Sequence, residues 1–152
     1  MSKTIIWQYK HFNDLTVNEL YCILQLRSEI FVVEQRCLFQ DMDDLDKNGY
    51  HVTAWRDGEL IAYARLLAPG QPYPEQSIGR VVVRVTARSA GLGKELMEYC
   101  AQRSYKLFGR NSIKIGAQHY LKKFYESQGY EQCSSIYDDA GIDHIQMLKQ
   151  PN

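Results

Sequence analysis

No charge of one sign is in excess in this chain. Its 152 residues carry 18 Lys and Arg against 18 Asp and Glu, a formal net charge of zero. The basic residues are dispersed, which argues against a nucleic-acid protein, whose footprint is a clustered basic face. No apolar run approaches the ~20 residues that a membrane-spanning helix needs, and no charged-then-apolar leader opens the chain. A cytoplasmic protein with no membrane partner is therefore expected. The four cysteines, Cys22, Cys37, Cys100 and Cys133, make no CxxC pair, so a zinc knuckle or a dithiol redox motif is not expected. Cys22 and Cys100 fall in helical patterns among apolar neighbours and read as small buried thiols of a reducing compartment. Repeats, low-complexity segments and linkers are also missing. Residues 1–152 read as a single domain, large enough to bury about two thirds of its unfolded surface. Proline is scarce, and three of the four prolines, Pro69, Pro72 and Pro74, fall together in Ala68–Ser77, which reads as a loop.

What is present alternates between strand and helix. Ile5–His11 reads as a strand. Thr16 followed by Glu19 is a capping-box pattern, and Val17, Leu20, Tyr21, Leu24 and Ile30/Phe31 form the apolar stripe of the helix it opens. Glu34–Gly49 is polar, acidic and turn-like, with a further helix allowed near Glu34. His51–Arg56 and Glu59–Leu67 flank Asp57-Gly58, a strong hairpin signal. Ile78–Val85 is nearly all β-branched, which predicts a central strand buried on both faces. Leu92–Phe108 predicts a helix burying Leu96, Met97, Cys100 and Tyr105. Ile113–Ala117 is a strand, and His119–Gln128 an amphipathic helix closed by Gly129. Gln132–Tyr137 and His144–Lys149 are two last strands. The class is α+β.

The segment Arg88-Ser89-Ala90-Gly91-Leu92-Gly93 joins a strand to a helix start. Unpaired N–H groups, a helix dipole and glycine's freedom make such a turn an anion site, so a phosphate-bearing ligand is expected at Gly91–Lys94. It is not a dinucleotide fingerprint, because Leu96 stands where the third glycine would be. It is not a phosphate P-loop either, because Glu95 follows Gly93-Lys94 and no glycine lies five positions before Gly93. In the acidic segment, Asp44-Leu45-Asp46-Lys47-Asn48-Gly49 fits half of a calcium loop. Its twelfth position is Trp55 and a strand follows, so no metal is expected.

The stretch Val83–Gly93 resembles motif A of the GCN5-related N-acetyltransferases (GNAT), and Gln118–Tyr130 resembles their motif B, in the right order. Leu26–Gln35, Ala62–Arg65, Ile78–Val81 and Gly141–Met147 are similar to the ElaA-like branch. The resemblance thus covers nearly the whole chain. It implies a mixed, largely antiparallel sheet of six to seven strands flanked by about four helices. It also implies transfer of acetyl from acetyl-CoA, with no metal, to a primary amine on a small molecule or peptide. The chain departs from the family in Val85, where proline is common, and in Gln118, where asparagine is common. A glutamate base is often found on the fourth strand, a region held here by Ser77, Gly79, Val81 and Val83.

The resemblance assigns pyrophosphate contact to Arg88, Ser89, Ala90, Gly91, Leu92, Gly93 and Lys94. Pantetheine contact falls to the edge of Val81, Val82 and Val83, and to Gln118. Tyr125 matches the tyrosine that protonates the departing thiolate. Glu34 and His144 are the leading candidates for the base, with His51 a weaker one. Phe31, Glu34, Asp41, Asp43 and Arg65 are candidates for the acceptor side. Alternatives are a non-catalytic acyl-CoA-binding module and a pure interaction domain. A third is an acyl-homoserine lactone synthase-like acyltransferase, which Arg27, Phe31 and the aspartates resemble but the short chain and the Gly91/Gly93 loop disfavour. A homodimer is left open.

Overall fold

Thr16 opens helix α1 (Val17–Arg27) with the reciprocal bonds its sequence predicts. Thr16 Oγ1 accepts from the Glu19 N–H at 3.0 Å, and Glu19 Oε1 accepts from the Thr16 N–H at 2.8 Å. The structure, a computed structural model, describes residues 4–88 and 91–152. The helix continues without a break into a π-helix, Ser28–Glu34, which is the further helix expected near Glu34.

Strands β1 (Ile6–His11), β2 (Tyr50–Arg56), β3 (Glu59–Leu67), β4 (Gln76–Val83), β5 (Ile113–Gln118), β6 (Tyr130–Gln132), β7 (Tyr137–Asp139) and β8 (Ile142–Lys149) form one sheet of eight strands. Its order is β1-β2-β3-β4-β5-β8-β6, with β7 also on β8. Every pairing is antiparallel except β4 with β5. The expected strand Gln132–Tyr137 is divided into β6 and β7, which share one edge of β8. Residues 133–136 bulge between them, pinned by Cys133 N–H to Gln146 O (2.8 Å) and Gln146 N–H to Ser134 Oγ (2.8 Å). This division raises the strand number to eight.

Helix α2 (Leu92–Phe108) and the short α3 (Lys122–Glu126) cover one face. Leu92, Leu96, Met97, Cys100 and Tyr105 pack there on Val52, Ala64, Leu66 and Ile78. Helix α1 and the π-helix cover the other face, where Ile23, Leu26 and Ile30 meet Leu60, Tyr63 and Val82. The buried stripe is thus Ile23, Leu26 and Arg27 of α1 with Ile30 of the π-helix, while Val17 and Tyr21 are exposed. The strand buried along nearly its whole length is β3, not β4. In β4 only Gln76, Ser77, Ile78 and Val82 are buried. Its end comes at Val83, and Val85 lies exposed in a 3-10 turn, Val85–Ala87. The reason is the missing neighbour. β4 and β5 pair only at Gln76↔Ile113 and Ser77↔Lys114, then part.

Candidate active site

The parting of β4 from β5 opens a cleft of about 910 Å³. One wall is the free edge of β4, Ile78–Val83. The far wall is β5, α3 and the β7–β8 hairpin. The turn before α2 and the π-helix line the cleft as well. A sheet edge inside a protein offers unpaired N–H and C=O groups, which suit a peptide-like chain.

At the start of α2, Gly91 caps the helix with φ 73°, a left-handed conformation that glycine adopts without cost. A Cβ there would meet nothing within 4 Å, so open space faces the first turn of the helix. Gly91, Leu92, Gly93, Lys94 and Arg88 all line the cleft. Ser89 and Ala90 lie outside the described residues. The Arg88 guanidinium already has two partners: Nε donates to Val83 O and Nη2 to Glu34 Oε2, each at 3.0 Å. Glu34 is therefore held in an ion pair with Arg88, just before α2.

Tyr125 stands deeper in the same cleft. Phe124 and Tyr130 meet its ring edge-on at 5.1 and 5.9 Å. Burial, with smaller contributions from Tyr120 and Cys100, pushes its hydroxyl up to about 12. The phenol is thus neutral at any physiological pH and keeps a proton to give. Gln118 lines the wall nearby and exchanges amide hydrogen bonds with Gln35 at 3.2 and 3.4 Å.

His144 is placed by three strands, opposite Gln118 of β5 and Tyr137 of β7. Its Nδ1 lies 2.7 Å from Ile142 O. A carbonyl only accepts, so Nδ1 carries the hydrogen and the Nε2 lone pair is left free. Tyr137 packs on the imidazole at 5.8 Å. The Tyr137 and Tyr73 hydroxyls meet above Gly116, where an added Cβ would come within 3.1 and 2.9 Å of them. This tyrosine pair is not anticipated from the sequence.

The acidic segment does other work. Arg27, at the end of α1, is fully buried. Its Nε donates to Asp41 Oδ2 at 2.8 Å and its Nη1 to Asp46 Oδ1 at 2.7 Å. Arg65 Nη1 reaches Asp43 at 2.7 Å and Asp46 at 3.0 Å, and Arg80 Nε reaches Asp41 Oδ1 at 2.8 Å. Three arginines thus face three aspartates. Burial raises the carboxyls of Asp43 and Asp46, but arginine hydrogen bonds and charges outweigh it and hold both below the usual range. Phe31, Asp43 and Arg65 line the cleft, whereas Asp41 stands behind it, with both oxygens taken by Arg27 and Arg80. Asp46 is spent on arginines, and no described group of three or more His, Cys, Asp or Glu side chains could hold a metal ion. His51 is buried as well, with Nδ1 2.6 Å from the Tyr63 hydroxyl and Nε2 3.0 Å from Asp46 O. It lies outside the cleft lining.

This cleft, a parallel pair that opens beside a glycine helix start with Tyr125 in its lining, is that of an acyl-CoA-dependent transferase, the class to which the matching family belongs. The chain belongs to the GNAT acetyltransferase family, whose domain matches residues 16–151. Within the family it falls in the ElaA-like branch. It is 37% identical to ElaA of Escherichia coli over 148 residues, 96% of this chain and 97% of that protein. It is 40% identical to a UPF0039 protein of Synechocystis over 145 residues, 95% and 94% of the two chains. The fold matches an acyl-CoA N-acyltransferase from Pseudomonas aeruginosa with a TM-score of 0.89 at 42% identity, over 95% of this chain and 99% of that one.

Proposed function

We propose that this protein moves the acetyl group of acetyl-CoA to a primary amine by direct attack, with donor and acceptor bound together. One observation carries the proposal. The free β4 edge, the Gly91 helix start and Tyr125 all line a single cleft. Acetyl-CoA brings an acyl group already activated as a thioester. The residues fit it. Helix N–H groups at Gly91–Lys94, with Arg88, suit a pyrophosphate. The β4 edge at Val81–Val83 and the Gln118 amide suit a pantetheine arm. A backbone N–H of that edge withdraws charge from the carbonyl oxygen, a role worth roughly 3–4 kcal/mol in well-studied hydrolases. Tyr125 donates its proton to the departing sulfur.

An alkyl amine is mostly protonated at neutral pH and must lose a proton before attack. Of the two candidates, His144 has a free Nε2 lone pair and Glu34 is tied to Arg88. His144 is therefore assigned as the base, and Glu34 as a residue at the donor–acceptor boundary.

The test is a thermal-shift titration with acetyl-CoA, followed by CoA-thiol release across a panel of primary amines. Stabilisation and turnover are expected. Stabilisation without turnover on any amine would instead favour a non-catalytic acyl-CoA-binding module, and no shift at all would remove the donor assignment.

A further inference from the structure

We propose that Asp41 is a positioning residue that acts through Arg80 to fix the β4 amides facing the donor carbonyl; this rests on the reading of the cleft given above. The β3–β4 register carries an irregularity. Tyr63 pairs with Val82 and Arg65 with Gly79, so Arg80 and Val81 together stand opposite Ala64. Such a bulge leaves one residue out of the ladder and re-aims the strand locally. It falls on the stretch of β4 whose other edge has lost β5 and faces the cleft.

The bulge is built on an unfavourable residue. Arg80 has φ 51°, a left-handed conformation that strains any side chain with a Cβ, although a glycine, Gly79, stands next to it. Its side chain accounts for the choice. Arg80 Nε donates to Asp41 Oδ1 at 2.8 Å, and Nη2 donates to Asp41 O at 2.8 Å and Asp43 Oδ2 at 3.3 Å. Asp41 in turn is held by the buried Arg27, itself anchored on Asp46. A chain of charged bonds thus runs from the end of α1 to one strained peptide of β4. Asp41 itself does not line the cleft, so it reaches the reaction through Arg80.

The test separates backbone from side chain. Glycine takes φ > 0 freely, whereas alanine does not. With wild type turning over acetyl-CoA and a fixed amine, Arg80→Ala and Asp41→Asn are expected to lower kcat about tenfold or more, the scale of a misplaced oxyanion donor. The acetyl-CoA Kd should stay within about twofold. Arg80→Gly is expected to recover most of the kcat lost in Arg80→Ala. Equal loss in Arg80→Gly and Arg80→Ala would overturn the proposal, since the guanidinium would then act directly, and so would a loss confined to the acceptor KM. A readout free of turnover is the amide NMR shifts of Val81 and Val82. Displacement in Arg80→Ala and Asp41→Asn with near-native shifts in Arg80→Gly supports the proposal. Native shifts in Arg80→Ala overturn it even if no amine is ever acetylated. Should Asp41→Asn fail to fold, the Arg80 pair carries the test alone.

Discussion

Tyr125 keeps its proton because its ring is walled in by Phe124 and Tyr130 while its hydroxyl lies where burial penalises the phenolate. A phenol that does not ionise on its own still holds its proton when the sulfur departs, and can give it as negative charge develops there. Tyr125→Phe keeps the ring and removes only the donor. It is expected to lower kcat by about a hundredfold or more with the acetyl-CoA KM little changed, measured by thiol release. The two base candidates separate in the same assay. His144→Gln should lower kcat/KM by a similar factor, because the lone pair that takes the ammonium proton is gone. Glu34→Gln should leave kcat near wild type. It frees Arg88 from a half-exposed ion pair and removes a negative charge beside the pyrophosphate site, so the acetyl-CoA KM should fall about twofold to fivefold. Collapse of kcat in Glu34→Gln with an intact His144→Gln would reverse the assignment. Residues of this kind were legible in the sequence only through motif order. Arg27 carried a physical signal that hydropathy alone passes over. It stands four residues after Ile23 and three before Ile30, on the stripe that α1 buries, and a charge on such a stripe demands a partner such as the aspartates downstream.

At the scale of elements, the helix start before α2 and the hairpin at Asp57-Gly58 could be read directly, since each is fixed by local backbone chemistry. Asp57 and Gly58 have φ 52° and 79°, the left-handed pair a tight hairpin requires. The opening of the cleft could not be read that way. Whether β4 keeps β5 beyond Ser77 depends on a parallel pairing between segments more than thirty residues apart. The valines of Ile78–Val83 look like a doubly buried strand because a cleft wall and a core wall want the same residues. Nor does local pattern show that β6 and β7 divide one edge of β8, since the division rests on the Ser134 hydroxyl and on Cys133 pairing with Gln146. The Gly91 turn can now be tested with more discrimination. Its Cβ direction is open, so a side chain there costs backbone strain and charge but no collision. Asn tolerates the left-handed region better than most residues. Gly91→Asn should therefore retain acetyl-CoA binding within about tenfold, as judged by calorimetry. Gly91→Asp, nearly the same shape, should lose far more, because it sets a carboxylate against the pyrophosphate. Equal losses would mean that shape, not charge, governs the turn.

Across the whole molecule, the charges that matter to stability form one balanced cluster, with Arg27, Arg65, Asp41 and Asp46 buried and Asp43 and Arg80 partly exposed. Arg27, Arg65 and Arg80 face Asp41, Asp43 and Asp46 between α1, the acidic segment and the sheet. Removing one of the buried members strands a charge, which typically costs about 3–5 kcal/mol. His51 lies against this network, bonded to Tyr63 and to the Asp46 carbonyl. Burial, together with the nearby arginines, keeps the imidazole below its usual range despite the opposing pull of Asp46. Below pH ~6.5 the unfolded chain binds a proton at this position more readily than the folded one, so stability falls as the pH drops. Asp43 and Asp46 are also depressed, but their contribution is intact above the carboxylate range and fades only below about pH 4. The buried phenols of Tyr63, Tyr125 and Tyr130 are raised, so their contribution holds below about pH 10 and is lost above it. Denaturant midpoints should thus be flat between about pH 6.5 and 8.5, where the buried Cys100 thiol, also pushed up by burial, begins to count, and decline in two acid steps, His51 first and the aspartates after it. His51→Gln keeps a polar side chain against the Tyr63 hydroxyl without the titration. It should abolish the first step and leave the second, and a first step that survives in His51→Gln would assign the acid response to a different histidine.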